Sequence, residues 1–170
     1  MVENKYSLKN KVAVIAGASG GMGVEVAKRL LRDGCHVVTL SKYPLNWDDM
    51  PQNSDAKLML LNCDMTDEQI LSEHIDKIIS TFGQVDYLIN AASVISLTGT
   101  VDTLMKHFDM MFDVNVRGTY MVSKMLIPFL KQSDNAHILN FSPPLVMDAA
   151  YFHSHGAYTC LLYTSDAADE

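Results

Sequence analysis

The sequence predicts an α/β domain built as a doubly wound parallel sheet with helices on both faces. Three observations predict it. Short, almost continuously apolar runs recur along the chain, as suits strands buried on both sides. Segments of helical periodicity alternate with them, and a glycine cluster lies where the first run gives way to the first helix. Right-handed crossovers between parallel strands then distribute the helices over both faces. With 170 residues, 48% of them hydrophobic, the chain has the size of one domain and enough apolar mass for a core.

Each element follows from its residues. Lys11 to Ala16 is a β-branched, apolar run and the first strand. Val24 to Arg32 has Val26, Ala27, Leu30 and Leu31 at helical spacing, and Gly34 stands in the usual carboxy-terminal cap position. Val37 to Leu40 is the second strand, and Tyr43 to Asp55, with Pro44 and Pro51, is loop. Lys57 to Leu61 is the third strand. Thr66 opens the next helix, its hydroxyl capping the Gln69 amide while Gln69 reaches back to Thr66. Ile70, Leu71, His74, Ile75, Ile78, Ile79 and Phe82 form that helix's sheet-facing stripe, and Gly83 ends it. Val85 to Ile89 is the fourth strand. Thr103 to Phe112 and Val116 to Leu130 are two helices, the second kinked or ended near Pro128. Ala136 to Phe141 is the fifth strand, stopped by Pro143 and Pro144. Met105, Met110, Met111, Met121 and Met125 read as core filling.

Composition excludes several functions. A net charge of −7, spread along the chain, argues against partners such as nucleic acid or an anionic membrane. No run is long and apolar enough to span a bilayer, and Met1 to Lys11 is too polar for a secretory signal. Cys35, Cys63 and Cys160 are odd in number and lack zinc spacing, which suits free thiols in a soluble intracellular protein. His153 and His155 have no third ligand beside them, so no metal is expected.

The strongest chemical signal is Gly17-Ala18-Ser19-Gly20-Gly21-Met22-Gly23, between the first strand and the first helix. A pyrophosphate needs free backbone amides at a helix amino terminus, and bulky side chains would hold it away. Gly17, Ser19, Gly20, Gly21, Met22 and Gly23 are therefore the candidate dinucleotide contacts.

Gly17, Gly21 and Gly23 have the spacing Gly-x-x-x-Gly-x-Gly, and this resembles the short-chain dehydrogenase/reductase family. Other residues match the family in order from Lys11 to Thr159. Asp64 looks like the aspartate that contacts the adenine ring. Asn90-Ala91-Ala92-Ser93 looks like the Asn-Asn-Ala-Gly motif, with alanine and serine replacing the second and fourth residues. Asn115 looks like the structural and catalytic asparagine, and Ser142 and Tyr158 fall at the catalytic serine and tyrosine positions. The separation of Ser142 from Tyr158 is longer than usual, which leaves Pro143 as an alternative occupant of the serine position.

The resemblance implies a Rossmann-type fold, an NAD(P) cofactor, and an enzyme interconverting alcohol and carbonyl on an apolar small molecule, with a homo-oligomeric parent. The runs Ala92 to Thr98, Val116 to Tyr120 and His137 to Pro144 point to a branch found in peroxisomes or mitochondria, often with an added sterol-carrier domain. NAD-dependent relatives end the second strand in an acid that grips the ribose. Here that position is Ser41, followed by Lys42, which would attract the 2′-phosphate of NADP. A charge-assisted contact of that kind contributes roughly 1.5–3 kcal/mol. NADP is therefore the expected cofactor, ahead of NAD.

Carbonyl reduction also needs a proton delivered to the forming alkoxide, and a free tyrosine hydroxyl, titrating at about 10, must be activated to exchange it near neutrality. The family does this with a lysine four residues after the tyrosine, and here that position is Leu162. From Cys160 onward the resemblance ends. Residues 1–159 read as the nucleotide-binding domain, incomplete at its carboxyl end, and 160–170 as a non-native tail that would leave this fragment inactive. Two other functions remain open: a non-catalytic NAD(P)-binding protein, if Leu162 is genuine, and an enoyl reductase of the same fold.

Overall fold

The structure, a computed structural model, describes residues 7–43, 50–51, 55–142 and 157–158. Among these, β1 (Val12–Ala16), β2 (His36–Ser41), β3 (Leu58–Asn62), β4 (Tyr87–Asn90) and β5 (His137–Asn140) form one sheet in the order β3-β2-β1-β4-β5. Every pairing is parallel. The chain winds outward from β1 to β3, then crosses back to place β4 on the other side of β1. That reversal lies between β1 and β4, where open α/β sheets leave a crevice beyond the carboxyl ends of their strands.

β1 is buried along its whole length because both of its faces are covered. Its period of two divides its side chains between two cores. Val12, Val14 and Ala16 pack with Leu71, Ile75 and Ile78 of α2 (Glu68–Phe82) and with Val122 and Leu126 of α4 (Thr119–Leu130). Ala13 and Ile15 pack with Ala27 and Leu31 of α1 (Gly21–Arg32) on the opposite face. Each valine, leucine or isoleucine among them, fully buried, contributes about 1.5–3 kcal/mol. Cys35 and Cys63 are free buried thiols, and burial pushes them up to about 12 and about 11 respectively. No helix among the described residues is long and apolar enough to cross a membrane.

The structure differs from the sequence expectation in four places. α1 begins at Gly21, not Val24, so the glycine loop itself supplies the first helical turn. α2 is capped by Asp67, whose carboxylate accepts from the amides of Gln69 and Ile70, both at 3.1 Å. Thr66 turns instead to Asp64, its hydroxyl at 2.7 Å. A carboxylate is the stronger acceptor and also complements the positive end of the helix dipole, so it outcompetes the hydroxyl. The two helices expected before β5 are joined, α3 (Met105–Phe112) running through a π-helical stretch, Asp113–Gly118, into α4. As expected, α4 ends near Pro128, which lies in its last turn: Lys131 still donates to Ile127 O at 3.0 Å and the helix ends at Leu130. Finally, Met111 and Met121 fill the core as expected, but Met105 and Met110 are exposed on the outer side of α3. β5, the edge strand, is exposed throughout. Its apolar residues resemble those of β1, but it occupies the sheet's edge beside β4. The Pro143–Pro144 stop, His153, His155 and residues 160–170 lie outside the described residues, as does most of the Tyr43–Asp55 loop.

Candidate nucleotide site

The glycine loop leaves the carboxyl end of β1 and enters α1. Its first two amides are held by β2: Gly17 N donates to Leu40 O at 2.8 Å and Ala18 N to Ser41 Oγ at 3.0 Å. Ser41 is thus turned inward as a support for the loop. In the sequence this position stands out only as the one where an acid would end the strand; the signal for its support of the loop is a hydroxyl ending a buried strand.

Three glycines serve different ends. Gly17 has φ +87, and a Cβ there would lie 2.3 Å from the backbone of Ala92. The loops after β1 and β4 touch at this point, so Ala91-Ala92 helps shape the crevice. At Gly23 a Cβ would lie 2.5 Å from Gly17 O, which lets α1 start hard against β1. Gly21 differs: with φ +52 it needs glycine for its backbone, yet a Cβ would meet nothing within 4 Å. Ser19, Gly20, Gly21 and Met22 are all exposed, so this outer rim of the loop faces open space. Gly20 is the N-cap of α1, no side chain caps the helix, and no acid stands in its first turn. The first amides of a helix lack intrahelical partners and carry the positive end of its dipole. An open, uncapped, glycine-built helix start fits the pyrophosphate of a dinucleotide.

The neighbouring strand ends bring two further candidates together. Lys42, just after β2, pairs with Asp64, just after β3, at 2.6 Å. Asp64 uses its other oxygen to accept from the amide of Thr66 at 3.1 Å and its hydroxyl at 2.7 Å. The Lys42 ammonium, followed by the Thr66 donors, outweighs partial burial and holds the Asp64 carboxyl below the usual range. Lys42 is correspondingly raised by its bond to Asp64.

The remaining candidates are spread around the crevice. Asn90 ends β4, and its side chain points into the protein. Its Nδ2 donates to Ser123 Oγ at 3.1 Å and to Asn140 Oδ1 at 2.8 Å, tying β4 to α4 and β5. Its Oδ1 is buried without a partner among the described residues. Asn115 lies in the π-helical stretch and clasps the backbone of Val94 with both ends of its amide, each at 2.8 Å. π-helical turns inside helices recur at functional sites, and here the irregularity is where the helix meets the loop after β4. Ser142 follows β5 and is exposed, and Tyr158 stands half-buried in helical backbone at residues 157–158.

The family model for short chain dehydrogenases matches residues 11–156. Hydroxysteroid dehydrogenase-like protein 2 of Xenopus tropicalis is 39% identical over 96% of this chain, and that of Homo sapiens also 39% over 96%. The chain spans 42% and 41% of the lengths of these relatives. A crystal structure of a short-chain dehydrogenase from Mycobacterium thermoresistibile is 30% identical, covers 92% of this chain and 59% of its own, and superposes with a TM-score of 0.80. The ligand-free aldohexose dehydrogenase of Thermoplasma acidophilum is 25% identical, with coverage of 94% and 59% and a TM-score of 0.77.

Proposed function

We propose that this chain, which belongs to the short-chain dehydrogenase family, is the dinucleotide-binding part of an NADP-dependent oxidoreductase interconverting an alcohol and a carbonyl on an apolar, lipid-like substrate. The observation that carries the reading is the uncapped start of α1, with Gly20 and Gly21 open to solvent and a lysine after β2. In this reading the amides of Ser19 to Gly23 hold the pyrophosphate, Asp64 lies against the adenosine, and Lys42 favours a cofactor with a 2′-phosphate. Asn90 supports the crevice from within the sheet, since its side chain is engaged with Ser123 and Asn140.

The bound dinucleotide supplies the hydride. The chain's own residues handle the proton: the Tyr158 hydroxyl delivers it to the forming alkoxide oxygen, and the Ser142 hydroxyl holds that oxygen by a hydrogen bond. Asn115 holds the loop after β4 in place through Val94. Leu162, where the family has lysine, favours a second reading: a protein that binds NADP without turning over.

Two measurements test this. NADPH titrated into the chain should bind with enhanced nicotinamide fluorescence. In a version carrying a family-type continuation from position 160, with lysine at 162, carbonyl reduction should appear. Tyr158→Phe in that version should lower turnover by at least ~10²-fold with NADPH affinity little changed, because the hydroxyl acts on the proton. Binding without turnover in the extended version would favour the non-catalytic reading; no binding at all would sink both.

A further inference from the structure

The Lys42–Asp64 pair has a consequence for cofactor choice that neither residue has alone. It rests on the nucleotide site proposed above. Asp64 is preset: Thr66 fixes one carboxylate oxygen through two hydrogen bonds, leaving the other, Oδ2, to Lys42. Lys42 has a side chain 59% exposed and long enough to swing, yet it is drawn to 2.6 Å from that oxygen. An incoming 2′-phosphate therefore meets a lysine whose charge is already engaged by the carboxylate. A ribose with a free 2′-hydroxyl does not depend on that lysine, and its hydroxyl can donate a hydrogen bond to a carboxylate.

We propose that Asp64 is a specificity-determining residue that restrains the preference for NADPH over NADH by holding and neutralising Lys42. The site is a balanced one, in which the lysine that attracts the phosphate is tethered by the acid that competes for it. An acid that merely touched the adenine would treat both cofactors alike, since both carry adenine. The ratio of the two affinities therefore isolates the proposed role.

The experiment measures dissociation constants for NADPH and NADH, by nicotinamide fluorescence at low salt, for the wild-type chain, Asp64→Asn, Lys42→Ala and the double variant. Asparagine keeps an oxygen for Thr66. Asp64→Ser, whose hydroxyl also offers Thr66 a partner, is the second variant should the first lose its fold. Removing the carboxylate should raise the NADPH preference about tenfold, the effect of one charge a few ångströms from a phosphate in a partly solvated site. In the Lys42→Ala background the same change should shift the ratio less than threefold. High salt should shrink the gain in Asp64→Asn. Equal weakening of both cofactors by Asp64→Asn would overturn the proposal and leave an adenine contact. A tenfold gain that persists without Lys42 would also overturn it, as simple repulsion by Asp64. Failure of the wild-type chain to bind either cofactor would instead remove the nucleotide site itself, and the proposal with it.

Discussion

The two ends of the strand pair β1–β4 solve the same problem in opposite ways. Both ends gather backbone groups that the sheet does not use. At the amino end Asp86, only 2% exposed, sits at the entry to β4 and collects four donors. They are Val12 N at 2.8 Å, Gln84 Nε2 at 2.8 Å, Ser133 Oγ at 2.6 Å and Lys11 Nζ at 3.1 Å. A cleft of about 260 Å³ opens beside it, lined by Lys11, Gln84, Phe129 and Ser133 among others, yet the carboxylate it exposes is already saturated. At the carboxyl end, among the described residues, no acid stands in the first turn of α1. Two loop amides are tied to β2, and Ser19 to Met22, further round the glycine loop, are exposed. A polar cluster that is complete within the protein stabilises the fold, and one left incomplete awaits a ligand. Charge and concavity alone do not separate the two ends; hydrogen-bond satisfaction does.

The largest test of this contrast is Asp86→Ala. It strands a buried amide, a hydroxyl and a side-chain amide at once, and deprives Lys11 of its partner. Breaking a buried charged network by removing one member costs about 3–5 kcal/mol. Chemical denaturation should show that loss, while the fraction of molecules still folded should bind NADPH with wild-type affinity. A variant whose affinity fell in proportion to its stability would show that the two ends are not separable.

The same residue gives a pH signature. Burial pushes the Asp86 carboxyl up, but Ser133, the Val12 amide and Lys11 together outweigh it and hold it below the ordinary value. A carboxyl depressed in the folded state contributes stability that is fully present above its unfolded value, about 4, and is lost as pH falls through the lower folded one. The difference in melting temperature between wild type and Asp86→Asn should therefore be constant near neutrality and narrow below about pH 4. Lys11 is raised by the same contact, so its share is present below about 10.4 and fades only at higher pH. A gap that held constant down to pH 2 would mean that Asp86 titrates alike in the folded and unfolded protein.

Gly17→Ala comes next in size, at the carboxyl end. Its Cβ would collide with the backbone of Ala92, and the φ of +87 is one that alanine adopts poorly. Overpacking and a left-handed backbone together cost about 2–4 kcal/mol. Unlike Asp86→Ala, this change should also weaken NADPH binding per folded molecule, because the displaced loops form the crevice. Denaturation and titration on the same sample decide it.

The sequence made the sheet legible because β1 is apolar without interruption and runs directly into a glycine cluster and a helical signal, and because the middle of β2 is nearly as apolar. β5 shows the limit. His137-Ile138-Leu139-Asn140 reads like a buried strand, but burial depends on what stands beside and above it, which local pattern does not encode. Competition between acceptors was equally hidden: the sequence pointed to Thr66 as the cap, whereas Asp67 takes that role and Thr66 is engaged by Asp64. In the candidate site, the glycine spacing announced the loop. The Lys42–Asp64 contact joins residues 22 apart in the chain and is visible only once β2 and β3 lie in register, with Ser41 opposite Asn62. Ser41's support of the loop was hidden for the same reason.

The smallest expected effect gives the finest test of the comparison, and it falls at Gly20. If the loop's rim is open because a ligand's phosphates approach its backbone, then not every glycine there is required by the fold. Gly20 has φ −178 and ψ 179, an extended conformation open to any residue, and a Cβ built on it meets nothing within 4 Å. Alanine should thus change stability by no more than about 0.5 kcal/mol, the range of substitutions that touch no packed or strained feature. The backbone amide stays where it was, so NADPH affinity should change less than threefold. Gly21→Ala, one residue on, meets equally open space but carries φ +52, and should cost about 1–2 kcal/mol through its backbone alone. The pair separates conformation from space. If Gly20→Ala proved as damaging as Gly21→Ala, the rim would be constrained by contacts within the protein, and the carboxyl end would be as closed as the Asp86 cluster at the other.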